Sequence, residues 1–329
     1  MKTAERNLNI EIIRIIASFG VIVIHVHSDT YGAQFISLLF SPICVPFFLA
    51  VSLIFFVQSL GKYSVEYVLT KIWERIGIPY ISWTIIYLIL LYFNAYLNNS
   101  TNKVFFGRSI LFGESAVQMY YLITLISLQL FILGVHTLRK TRSRYYFFLS
   151  LGLILVTTTY FLFSLYYQAS GFRNSYYIVG YLLYIVFAMH YQSSFSSSKY
   201  LILPYLCILF VFIVILLSVY DLWGLRKFGP LIFPVCGICL YKIAISYPTI
   251  KVPSWIKEIM SLSYGIYLSH VVFLELMEII AKKITGSEIT YTLINKLLLA
   301  LVVFIISAIF VLLLKRVGIL RILLLGERK

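Results

Sequence analysis

A guanidinium followed eleven positions later by an imidazole, both inside one apolar run, is the pattern in this sequence with the most chemistry in it. The run is NIEIIRIIASFGVIVIHVH, residues 9–27, and it carries Glu11, Arg14, Ser18 and His25. Wound at about 100° per residue, Arg14 and His25 return to nearly the same azimuth after roughly three turns, separated by about 16 Å of rise. They therefore share a face at different depths. Arg14 can hold an anionic group or pair with Glu11 one turn earlier, and His25 can take a proton from a hydroxyl. Ionisable groups in a lipid-embedded helix cost roughly 2.5–3.5 kcal/mol at its centre, which makes them functional candidates by default. The structural alternatives are that Arg14 snorkels to the inner headgroups and that His25 hydrogen-bonds a neighbouring helix.

Other candidates follow from the same rule. His270 lies in the middle of a second apolar run, SLSYGIYLSHVVF, where it could line the same interior or serve as a structural donor. His27 points about 200° away from His25 and suits the interface. The segment KIWERIGIPYISW places Lys71, Glu74 and Arg75 just before Pro79. A cationic cluster there suits the phosphates of a donor, and it equally suits anionic lipid headgroups. The four cysteines, Cys44, Cys207, Cys236 and Cys239, all fall in apolar runs, where cysteine behaves as a small hydrophobe. The CxxC spacing of Cys236 and Cys239 has no second pair or nearby histidine, so no metal site is expected.

The elements that must position these groups are membrane spans. Of 329 residues, 61% are hydrophobic and 12% charged, and the mean hydropathy is +0.95, more apolar surface than a soluble core of this size can hide. The net charge of +15 comes in short clusters between apolar runs, not on one continuous face, so a nucleic-acid partner is not expected. With about 20 apolar residues per crossing, the sequence predicts an all-α polytopic membrane protein of about ten transmembrane helices. They fall near 10–30, 36–57, 76–96, 117–137, 145–165, 176–192, 200–220, 228–247, 260–281 and 294–314. Gly180 interrupts the sixth, and Pro230, Pro234 and Gly237 the eighth, breaks that neighbouring helices can satisfy.

Basic residues in the connections set the orientation. Lys103, Arg108, Arg173, Arg226, Lys227, Lys282, Lys283 and Lys296 fall on one side, and every other Lys and Arg except Arg14 falls on the other. Both termini are expected to be cytoplasmic, with the protein multi-pass in the inner (cytoplasmic) membrane of the cell. Lys2 and Arg6 precede an apolar stretch as in a signal peptide, yet Arg14 interrupts the stretch and no small-residue cleavage site follows, so an uncleaved first span is expected. The longest predicted outer connection is about residues 97–116, too short to fold alone. Residues 1–329 thus read as a single transmembrane domain without a separate soluble one, and no internal repeat of the transporter kind is visible.

Taken together these segments resemble the acyltransferase-3 family of membrane acyltransferases, which modify surface polysaccharides. The family's basic residue, ten intervening residues and histidine are matched by Arg14 and His25. Its Pro-Phe-Phe run ending in Ser-Gly-Phe is echoed by Pro46, Phe47, Phe48 and Ser52, with Leu53 in place of the glycine. Its aromatic-Tyr-Leu signature resembles Tyr120, Tyr121 and Leu122, and its late Gly-Ile-Tyr-Leu-x-His element resembles Gly265 to His270. Of its paired arginines before the third span, Arg75 fits the second, Ile72 occupies the first and Lys71 is the stand-in, while Glu11 replaces the usual aspartate.

The resemblance implies acetyl-CoA or another acyl-CoA as a cytoplasmic donor and no metal. It implies His25 as catalytic base, aided by Arg14 and Glu11, with Arg75, Lys71 and Arg14 as donor-site cations. Ser52, Tyr120, Tyr121 and His270 are the substrate-binding candidates. The expected partners are the acyl-CoA, a lipid-linked or surface glycan such as O-antigen of lipopolysaccharide, and membrane lipid. Two other readings fit a polytopic, Tyr-rich chain. A glycan transporter or flippase is disfavoured by the small number of spans and the missing repeats. A surface-polysaccharide polymerase is disfavoured because no large arginine-bearing outer loop is present.

Overall fold

A computed structural model describes residues 7–97, 106–138, 149, 151–153, 155–156, 181–189, 229–248, 252–286 and 290–328. Among these the protein is helical, with no strand. The helices are α1 (Leu8–His25), α2 (Tyr31–Phe40), α3 (Cys44–Leu60), α4 (Val65–Ile72), α5 (Ile78–Leu97), α6 (Phe106–Phe112) and α7 (Met119–Leu138). They are followed by α8 (Gly229–Ser246), α9 (Ser254–Met260), α10 (Ser263–Thr285), α11 (Leu293–Arg316) and α12 (Gly318–Leu325). A π-helical turn, Trp73–Gly77, joins α4 to α5.

Six helical stretches among the described residues are long and apolar enough to cross a bilayer: Leu8–His25, Tyr31–Leu60, Val65–Phe93, Met119–Thr137, Ser263–Ile284 and Leu293–Arg316. They coincide with the first four and the last two of the expected spans. The expected eighth span is α8, and residues 181–189 of the expected sixth are helical. The expected seventh, 200–220, and most of the fifth lie outside the described residues. The first helix stops earlier than its apolar run. Val26 turns to an extended conformation at φ −67° and ψ 135°, so His25 is the last helical residue.

Side-chain bonds fix the helix directions. The Ser18 hydroxyl donates to the Ser263 carbonyl at 3.0 Å, and seven residues further along each helix His25 meets His270, so α1 and α10 run parallel and in step. Helix α11 runs against both. Its first turn reaches the far end of α1, where Lys296 donates to the Val26 carbonyl, and its last turn reaches Ser261 through Lys315. Helix α8 is also antiparallel to α1, because the Asn9 amide donates to the Ala244, Tyr247 and Pro248 carbonyls at its C-terminal end. Lys71, Arg75, Lys315, Arg316 and Arg328 consequently gather at the end where α1 and α10 begin.

Two glycines permit contacts that a methyl group would block. Helix α8 continues through Pro234 and lies against α3, where a Cβ on Gly237 would collide with the Pro46 carbonyl oxygen. Backbone cannot yield as a side chain can, so Gly237 lets the two helices touch. Gly326 ends α12 in the left-handed region at φ +64°, and a Cβ there would come within 2.7 Å of the Arg75 Cα. The chain after α12 thereby lies directly on the π-helical turn.

Candidate active site

The site is built on α1, α3, α7 and α10. Arg14 reaches from α1 towards α3. Its guanidinium pairs with Glu11 at 3.4 Å and stands 6.0 Å from the centre of the Phe48 ring. The pair is partly sheltered, with the Arg14 side chain 27% and the Glu11 side chain 12% exposed. From Phe48 an aromatic wall climbs the interior. Phe48 meets Tyr267 at 5.9 Å and Tyr121 at 6.4 Å between ring centres, and Tyr121 and Tyr267 meet edge to face at 5.1 Å. Tyr267 lies 6.0 Å from His270, whose ring stacks on His25 at 5.3 Å and 29°. Arg14 and His25 are therefore the two ends of one continuous surface.

The histidines differ in their surroundings. His270 is fully buried, and its Nδ1 is 2.7 Å from the Tyr267 carbonyl one turn back in its own helix. A carbonyl only accepts, so Nδ1 carries the proton and Nε2 presents a lone pair. That Nε2 is buried without a partner among the described residues. His25 is half-buried in the last turn of α1 and lies over the hidden ring. An unpaired acceptor in so dry a place costs about 1–3 kcal/mol, which a bound N–H or O–H would relieve.

A hydrogen-bonded hub holds the wall in place. The Tyr267 hydroxyl donates to the Gln118 carbonyl at 2.8 Å, and the Tyr87 hydroxyl donates to the Leu268 carbonyl at 2.8 Å. The Gln118 amide donates to the Tyr87 hydroxyl and, at 3.3 Å, to the Leu268 carbonyl. Gln118 directly precedes α7, so the hub sets where Tyr121 emerges beside α10. Tyr121 and Ser52 face each other at 3.5 Å between hydroxyl oxygens. Tyr120 lies on the more exposed side of α7.

The basic residues before α5 do not join the wall. Lys71 pairs with Glu74 at 2.9 Å, and the other oxygen of Glu74 takes Arg328 at 2.8 Å. Arg75 is exposed. Its carbonyl receives no N–H from Pro79 four residues on, and the Tyr264 hydroxyl donates to it at 3.2 Å. Arg139, Lys140, Arg142 and Arg144, a run of basic residues that the sequence places on the same side as Lys71, lie outside the described residues. Arg14, His25 and His270 stand out in the sequence as site residues, whereas Gln118, Tyr87 and Lys296 do not. Only Lys296, an ionisable residue at the head of an apolar run, had a visible signal.

Fold and site together define a multi-pass helical membrane protein with a histidine pair and an arginine on one interior wall. The acyltransferase-3 family model, described as an acyltransferase domain, matches residues 7–316, and the chain belongs to that family. The protein is thus a membrane acyltransferase. No curated protein and no solved structure matches the chain.

Proposed function

We propose that the protein transfers an acyl group, most simply acetyl, from cytoplasmic acyl-CoA to a hydroxyl of a cell-surface or lipid-linked glycan such as O-antigen. In this reading the chain is a single domain of ten spans in the inner membrane with both termini cytoplasmic. The parallel run of α1 and α10 requires an odd number of crossings between them, a parity that the ten-span order meets. The observation that carries the reading is the wall joining Arg14 to His25, which runs from the half of α1 nearer the basic end to the histidine pair.

The donor phosphates meet the exposed Arg75 at that basic end, while Lys71 chiefly neutralises Glu74. The pantetheine arm follows the wall past Arg14, Ser52 and Tyr121, and the thioester arrives beside the histidines. His25 takes the proton of the acceptor hydroxyl as its oxygen attacks the thioester carbon. The new C–O bond forms, the C–S bond breaks, and the departing thiolate receives the proton from His25. The lone pair on His270 Nε2 accepts a hydrogen bond from the bound substrate and so helps hold it. Atoms balance with no further reactant, the products being an O-acyl glycan and free CoA.

Mass analysis of surface glycans from cells with and without the gene tests this reading. The expected result is a population heavier by one acyl group only where the gene is present. Identical glycan masses from the two strains, with the protein inserted, would contradict it.

A further inference from the structure

Lys296 is the fourth residue of α11, and its place in the sequence predicts an outer-surface cation. It is instead completely buried. Its ammonium donates to the Val26 carbonyl at 2.6 Å, the His27 carbonyl at 3.3 Å and the Ser28 hydroxyl at 2.7 Å. An ammonium has three N–H groups, and three acceptors occupy them. All three acceptors are neutral oxygens. A buried cation without a carboxylate costs several kcal/mol relative to water, so its placement needs a reason beyond packing. With no N–H left over, Lys296 cannot also serve as a ligand for a phosphate or an oxyanion.

The reason lies in what Lys296 grips. Helix α1 ends at His25, and the carbonyls at and just beyond a helix C-terminus have no donors within the helix. A cation there also complements the negative end of the helix dipole. The gripped segment is tied down further. The Asp29 carboxylate accepts the Tyr291 N–H at 2.8 Å, the Asp29 N–H donates to the Tyr291 carbonyl at 3.2 Å, and the Ser28 hydroxyl donates to the Ala33 carbonyl at 3.3 Å. Residues 26–29 are thus pinned by hydrogen bonds to the chain from Tyr291 to Lys296. Any rotation of the last turn of α1 would slide His25 off His270.

We propose that Lys296 is a positioning residue for acyl transfer, its ammonium clamping the backbone that follows His25 so that the imidazole stays stacked on His270. The proposal rests on His25 being the proton acceptor. A misplacement of about 1 Å in a reacting group can cost about 10²-fold, so the clamp acts on turnover and leaves donor binding alone.

The test uses the full chain in lipid nanodiscs with acetyl-CoA and the acylatable glycan. Lys296→Met keeps length and removes the donors. Its kcat should fall about 10- to 100-fold with the acetyl-CoA KM within about two-fold of the parent. In a His25→Ala background the same change should add no further loss to the residual turnover. An unchanged kcat, or an equal further loss in the His25→Ala background, overturns the proposal. Should Lys296→Met fail to fold, Ser28→Ala withdraws one of the three acceptors and should lower kcat alone by about two- to ten-fold. An unchanged kcat in that variant also overturns the clamp. If His25→Ala by itself keeps full turnover, the underlying assignment of His25 fails, and that result is read independently of Lys296.

Discussion

Replacing His25 with alanine is expected to lower acyl transfer by about 10²–10⁴-fold while the protein stays folded, the range that a positioned general base contributes. The side chain stands at the end of α1, half-buried, with its ring on one face of His270. Among the described residues no hydrogen bond between helices depends on it. What holds α1 to its neighbours lies elsewhere, in Ser18 to Ser263, Asn9 to the end of α8, and Lys296 to Val26. Labelled acetyl transfer per mole of inserted protein checks this, with thermal unfolding in detergent as the control. A folded variant that retains turnover within about three-fold of the parent would remove His25 from the chemistry.

The second large effect belongs to Arg14. Arg14→Ala is expected to reduce turnover by about 10²–10³-fold, the size found when one preorganised donor is removed from a sheltered site. This variant has a complication, because Arg14 is the partner of a sheltered carboxylate. Removing it leaves Glu11 uncompensated, and breaking such a pair costs up to about 3–5 kcal/mol when burial is complete. Part of that cost will appear as lost stability. The double variant Glu11→Gln with Arg14→Ala separates the two roles, since it leaves no orphaned charge. Its unfolding temperature should return towards that of the parent while turnover stays low. Recovery of both would mean that Arg14 does nothing except neutralise Glu11.

Much of this arrangement was legible in the sequence, for reasons that differ from residue to residue. The shared face of Arg14 and His25 follows from helical periodicity alone, and the aromatic wall now links the two across three other helices. His270 stood out because an imidazole in mid-span is costly. Tyr267 is marked only by its place in the Gly265 to His270 element, with no hint of its partner, and Gln118 gave no signal, since a glutamine before a helix is ordinary. Their roles exist only once α5, α7 and α10 converge on Leu268. The eighth span read as interrupted because proline and glycine usually break helices. The helix passes through Pro234 because its packing against α3 at Gly237 makes continuity favourable, a gain invisible to local rules. Lys71 read as a donor-site cation, yet Glu74 lies three residues on, the spacing at which helical side chains meet. The role of Arg328 was out of reach, because it depends on Gly326 laying the chain against the π-helical turn.

A structure of the protein with a non-hydrolysable acyl-CoA analogue bound tests the central claim most directly. The phosphates should lie at the basic end beside Arg75, the arm should run along Phe48, Tyr121 and Tyr267, and the thioester carbonyl should lie against the His25 and His270 rings. An analogue bound in the opposite sense, or with its acyl group remote from both histidines, would contradict the account.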